Sequence, residues 1–71
     1  MKKQILSLLL AAISYLGIHN GHLAIFEDGK PLAVLPYRAE VYSQEDQDAL
    51  RQGIPFENEK ELCALLEDFL S

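Results

Sequence analysis

Two Asx-Gly pairs eight residues apart constrain the fold of this chain more than any other feature. Asn20-Gly21 and Asp28-Gly29 each interrupt a run of aliphatic residues. Such pairs can place two successive residues at positive φ, as the two-residue turns of tight β-hairpins require. The pattern therefore predicts an antiparallel three-stranded meander. Its strands are expected at Ile13–Ile18, His22–Glu27 and Pro31–Pro36.

The second half of the chain predicts two helices. Ser43 and Asn58 are each followed, three residues later, by an acidic residue, which is the order of a capping box. We expect helices at Gln44–Gln52 and Glu59–Leu70. Gly53 stands where a left-handed residue commonly ends a helix.

These elements predict an α+β fold, a three-stranded antiparallel meander with two C-terminal helices. The second helix is expected on one face of the sheet and the first at an edge. Tyr37–Tyr42 is expected to be an extended connector, and Ile54–Phe56 an apolar bridge to the core. With 71 residues, the chain forms one small domain with a thin core. The predicted core residues are Leu23, Ile25, Val34, Ile54, Phe56, Leu62, Leu65, Leu66 and Phe69.

Residues 1–14 form an apolar segment ahead of the predicted domain at residues 15–71. Lys2 and Lys3 precede an apolar run, and Ala12 and Ser14 have the spacing that a signal peptidase needs. The run is shorter than the ~20 residues that span a bilayer. We favour an export signal, hence an exported or membrane-associated protein with membrane contact through residues 1–14. The alternative is a structural N-terminal apolar helix that covers the meander in a cytoplasmic protein.

Charge and motif content argue against nucleic-acid binding and against catalysis. The net charge is −5, whereas a nucleic-acid-binding domain would show a basic stripe. His19 and His22 could share a metal, but no cysteine or third histidine stands near them in sequence. Cys63 has no neighbouring histidine to activate it, so we expect a buried structural thiol. We predict no enzyme activity, no cofactor and no metal site.

Acidic residues of the C-terminal half form the candidate partner-binding surface. Neighbouring acids on a helix point apart, so they are poor general acid–base pairs. A solvated acidic face is the simplest interpretation, and a face that meets basic residues of a protein partner is the functional one. The candidate residues are Glu45, Asp46, Asp48, Glu57, Glu59, Glu67 and Asp68. An alternative function is a small acidic inhibitor that mimics nucleic acid and blocks a DNA- or RNA-binding protein.

Two stretches resemble the C-terminal domain family of the bypass-of-forespore C protein (BofC). Tyr15 with Asn20–Phe26 resembles that family's opening Y-x-x-x-x-N-G-x-Φ-A-Φ-F strand pair. Residues 44–71 are similar to its tail, P-E-x-D-x-x-L-x-x-G-I, then E-E-L-x-x-L-L-E-D-[YF]-x-S. The resemblance implies a small α+β module of spore-forming Firmicutes without catalytic residues. It also implies a regulatory role in sporulation-linked or envelope signalling, with an envelope or signalling protease as partner.

Overall fold

The computed structural model describes residues 13–70, so the predicted N-terminal helix lies outside the described residues. A 3-10 turn at Ala39–Val41 separates the first three strands from the rest of the fold. The strands are β1 (Ser14–His19), β2 (His22–Glu27), β3 (Lys30–Arg38) and β4 (Ile54–Phe56), and the helices are α1 (Gln44–Gln52) and α2 (Glu59–Leu70).

The two predicted hairpins are confirmed. Asn20 and Gly21 have φ of 52° and 80°, and Asp28 and Gly29 have φ of 54° and 79°. Each pair joins two antiparallel strands whose flanking residues stand directly opposite each other. Positive φ at both turn positions is the geometry of a type I′ turn, whose twist matches that of the strands beside it.

The predicted count of three strands is wrong, because residues 13–70 form a four-stranded antiparallel sheet of order β3-β2-β1-β4. Ile54–Phe56 was expected to be an apolar bridge, but it pairs with Ser14–Leu16 of β1. Pro55 is tolerated there because β4 is an edge strand, where the missing N–H removes no interior ladder bond. The fold class, α+β with two C-terminal helices, is confirmed.

The region after β3 also departs from the prediction. The strand continues past Pro36 to Arg38, and the chain then closes a 3-10 turn at Ala39–Val41. The N–H of Ala39 donates to the carbonyl of Gly21 at 2.8 Å, which ties this turn to the β1–β2 hairpin. The prediction of an extended connector is therefore wrong for Ala39–Val41, because a tertiary hydrogen bond bends the chain there.

Both helices span the predicted residues and begin at the predicted caps. The Oγ of Ser43 accepts a hydrogen bond from the N–H of Asp46 at 3.2 Å. The Oδ1 of Asn58 accepts from the N–H of Glu61 at 2.9 Å. The Glu61 carboxylate in turn accepts from the N–H of Glu57 at 2.8 Å. Both caps thus satisfy backbone donors that the first turn of a helix leaves unpaired.

The core lies where α1 meets the two central strands. Leu16, Leu23 and Leu50 are fully buried and form one cluster. Half-buried side chains surround this cluster, and they are Ile18, Ile25, Leu35, Tyr42, Ile54, Leu65, Leu66 and Phe69. Of the predicted core, Leu23 is therefore confirmed as fully buried. Five others, Ile25, Ile54, Leu65, Leu66 and Phe69, pack around the cluster, whereas Phe56 and Leu62 are half-buried.

Val34 does not belong to the core, because 51% of its surface is exposed. It stands opposite Ala24 in the ladder, whereas the core-facing residues of β2 are Leu23 and Ile25. Successive side chains of a strand point to opposite faces, so the partner of Ala24 faces away from the core. Irregularities in the β2–β3 register decide which residues of β3 face the core. The sequence does not show where these irregularities occur.

An aromatic layer covers part of the other face of the sheet. The rings of Tyr15 and Phe26 stack with centroids 5.0 Å apart, and His19 meets Phe26 edge-on at 6.4 Å. Gly17 and Ala24 are buried residues of the same face. A Cβ added at Gly17 would lie 3.0 Å from a ring carbon of Phe26, so the aromatic ring needs a glycine there.

Candidate partner-binding surface

The two histidines, which are well suited to site chemistry, contact their own hairpin and its neighbouring ring. The Nδ1–H of His22 donates to the carbonyl of Asn20 at 3.2 Å, which braces the first turn. His19 instead contacts the ring of Phe26. Within residues 13–70, no three His, Cys, Asp or Glu side chains are placed to hold a metal ion.

Within residues 13–70, the acids of α1 divide into one that forms an ion pair and two that form none. Asp48 accepts from the guanidinium of Arg51 at 2.9 Å and from the side-chain amide of Gln44 at 3.0 Å. The side chains of this ion pair are more than half exposed, so the pair contributes little to stability. Glu45 is exposed and Asp46 is half-buried, both in the first turn of the helix. Acids there are favoured by the helix dipole.

The acids of α2 lie at its two ends. Glu57 precedes the helix and Glu59 begins it, and both are exposed. Glu67 and Asp68 lie in the last turn, where the helix dipole disfavours negative charge. Glu59 and Glu67 are separated by about 12 Å along the helix axis. The candidate acids of α2 therefore form two separate groups and not one cluster.

Cys63 is exposed, so the prediction of a buried thiol is wrong. The α2 residues that pack against the core are Leu65, Leu66 and Phe69, and Cys63 precedes Leu65 by two residues, a rotation of about 200°. Cys63 instead lines an open groove along the C-terminal half of α2, together with Leu66, Glu67, Asp68 and Leu70. We call these five residues the α2 groove. Its apolar floor beside two carboxylates was not predicted from the sequence.

A second unpredicted surface lies along β3, where eight of nine residues are exposed. Leu32, Val34 and Tyr37 expose 63%, 51% and 39% of their surfaces, and Val41 beyond the strand exposes 72%. The prolines within this strand could have indicated an edge strand, because proline in a sheet is largely confined to edge strands. An edge strand that carries exposed apolar side chains is a candidate contact surface.

The comparisons with known proteins identify the family. A family model described as BofC C-terminal domain matches residues 6–71, essentially the whole chain. This chain belongs to the BofC C-terminal domain family. The family match includes every element described above and also residues 6–12. Membership in the BofC C-terminal domain family indicates a sporulation-related regulatory role.

Searches of the curated proteins and of the solved structures give no match. Among the helices at residues 44–52 and 59–70, neither has the length and apolar character that crossing a membrane requires.

Proposed function

We propose that this BofC C-terminal domain chain is a non-enzymatic regulatory module that binds a protein partner in sporulation-linked or envelope signalling. Membership in the family supports the regulatory class. The finer hypothesis is that the partner is an envelope or signalling protease, without direct binding of nucleic acid. Its contact surface is formed by the candidate acids of α1 and α2.

The exposure of these acids without ion-pair partners carries the proposal. Within residues 13–70, the ion pairs join Asp48 to Arg51 and Glu40 to Arg38. Six of the seven candidate acids therefore have no ion pair among the described residues, and five of these six are exposed. Their charge is available to lysines and arginines of a partner, and complementary charge raises the association rate and fixes orientation.

The test compares two variants that each remove two negative charges from the full-length protein. Glu45→Gln with Glu59→Gln neutralises acids of the helices. Glu27→Gln with Glu40→Gln is the matched control, since it neutralises exposed acids near β3. Each tagged protein is cross-linked in a sporulating Firmicutes culture and in a vegetative one, and captured proteins are quantified by mass spectrometry.

We expect one protein to be captured specifically during sporulation by the wild type and by the control. Capture by the helix variant should fall several-fold, and wild-type capture should fall with added salt because exposed charges are screened. Equal capture by both variants would contradict the acidic contact surface. A captured nucleic-acid-binding enzyme that loses its substrate on addition of this protein would support the inhibitor hypothesis instead.

A further inference from the structure

β3 presents a free backbone edge. Among residues 13–70 it pairs with β2 alone. Glu27 and Lys30 close the two-residue hairpin, so they exchange hydrogen bonds, and bonded and non-bonded pairs alternate from there along β2. By this alternation, Ala24 and Val34 form a non-bonded pair. The N–H and C=O of Val34 therefore point away from β2, toward the open edge.

The side chains along this edge are apolar in the middle and basic at the two ends. Lys30 begins β3 and Arg38 ends it, and both are exposed. Within residues 13–70, Lys30 forms no ion pair, and Arg38 donates to Glu40 at 3.1 Å in a pair that is mostly exposed. Such a pair is weak, so both cations can bind acids of another chain. The exposed apolar residues between or beside them are Leu32, Val34 and Tyr37.

A second copy of the chain is a poor occupant of this edge. Pro31 and Pro36 have no N–H, so two paired copies of β3 would both lack donors. An antiparallel pair centred on Val34 would also bring Lys30 of each copy near Arg38 of the other, because the two cations stand equally far from Val34 in sequence. Like charges that face each other across strands are destabilising.

A strand of different composition fits the same edge well. If it contains no proline, its own N–H groups can donate to the carbonyls of Pro31 and Val34, which face outward in non-bonded pairs. Acidic residues at its two ends would meet Lys30 and Arg38 as opposite charges. Apolar residues between them would cover the exposed apolar side chains of β3.

We propose that β3 binds an extended segment of another protein as an additional strand, and that this segment is apolar in the middle and acidic at both ends. Main-chain hydrogen bonds supply affinity in this kind of contact, and side chains supply specificity. This surface is basic and lies along β3, whereas the surface proposed above is formed by acids of α1 and α2. The strand contact therefore goes beyond that proposal and does not depend on it.

A fluorescent peptide of the same length as β3 tests this contact with the full-length protein. The probe is Glu-Thr-Val-Thr-Val-Thr-Val-Thr-Glu, and the control probe has lysine at both ends. Anisotropy should show saturable binding of the acidic probe and about tenfold weaker binding of the basic one, because each end exchanges an attractive cross-strand pair for a repulsive one. Binding of the acidic probe should also slow hydrogen exchange at the N–H of Val34.

A charge reversal in the protein separates recognition from loss of folding. Lys30→Glu with Arg38→Glu should prefer the basic probe, and unfolding would not invert a preference. Arg51→Glu with Lys60→Glu is the matched control, since it reverses two exposed cations of the helices and should keep the wild-type preference.

Three results would overturn the proposal. The first is equal binding, or no binding, of the two probes by the wild-type protein. The second is unchanged hydrogen exchange at Val34 when the acidic probe is saturating. The third is a dimer of the full-length protein that Val34→Asp dissociates, because a second copy would then occupy the edge.

Discussion

α1 and α2 begin in the same way and are buried very differently. A capping side chain begins each helix, at Ser43 and at Asn58. α1 carries little apolar surface, yet its Leu50 is 1% exposed and completes the central cluster. α2 is apolar over most of its length, yet none of residues 59–70 is fully buried. The number of apolar side chains on a helix therefore does not set how deeply it is buried.

The difference in burial between α1 and α2 follows from the strand that each helix contacts. α1 packs against β1, which lies between β2 and β4 in the sheet. α2 contacts β4, a three-residue strand at the edge. A side chain that packs against an interior strand has neighbours on both sides, whereas one near an edge strand keeps an open flank. The apolar residues left open on α2 form the α2 groove.

The largest expected effect compares one leucine from each helix. Leu50→Ala removes a fully buried side chain, and such truncations cost about 2–5 kcal/mol. That is comparable to the whole stability of a small domain, so much of the population should unfold. Leu66→Ala should cost clearly less, because Leu66 is half-buried. Urea denaturation of both variants measures the difference, and equal losses would show that α2 contributes as much to the core as α1.

The next largest loss of stability is expected at the C-terminal end of α1. Gly53 has φ of 90°, and a Cβ there would lie 2.8 Å from a ring carbon of Tyr15. Gly53→Ala combines a backbone conformation that side chains rarely adopt, which costs about 1–3 kcal/mol, with this steric clash. Gly21→Ala is the control, since φ is 80° but no heavy atom lies within 4 Å of the added Cβ. Thermal melting should rank Gly53→Ala as the more destabilised variant, and the reverse order would refute the close contact between Gly53 and Tyr15.

Removing either helix cap should lower the free energy of unfolding by a similar amount. The two changes should expose different parts of the fold to hydrogen exchange. Ser43→Ala and Asn58→Ala each remove a side-chain acceptor, which costs about 0.5–2 kcal/mol. Loss of the Ser43 cap should lower the protection of amides across the sheet against hydrogen exchange, because α1 holds Leu50 in the core. Loss of the Asn58 cap should chiefly expose amides of α2. Hydrogen exchange distinguishes these outcomes, and sheet-wide loss of protection in Asn58→Ala would contradict the comparison.

The smallest effect is expected for the ion pair of α1. Asp48→Asn removes the partner of Arg51, but both side chains are more than half exposed. Exposed pairs contribute about 0–1 kcal/mol and are screened by salt. The midpoint of urea unfolding should move little, and less still at high salt. A large salt-independent loss would indicate that Asp48 has a structural role beyond this pair.

The sequence by itself determined the local features of this protein. Positive φ at the two Asx-Gly turns, the caps at Ser43 and Asn58, and the ends of both helices all depend on residues a few positions apart. The chemistry of such short stretches limits the backbone to few conformations. The acidic character of the helical surface was likewise readable, because charge is a property of the residues themselves.

Only the tertiary structure decided which residues are buried and how strands beyond the hairpins pair. Ile54–Phe56 became a strand because β1 offered a free edge, and Val34 turned outward because the β2–β3 register is irregular. Cys63 is open to solvent because other α2 residues, Leu65, Leu66 and Phe69, pack against the core. These outcomes depend on partners distant in sequence. Periodicity shows that one side of a helix or strand is apolar, but not which residues that side will contact.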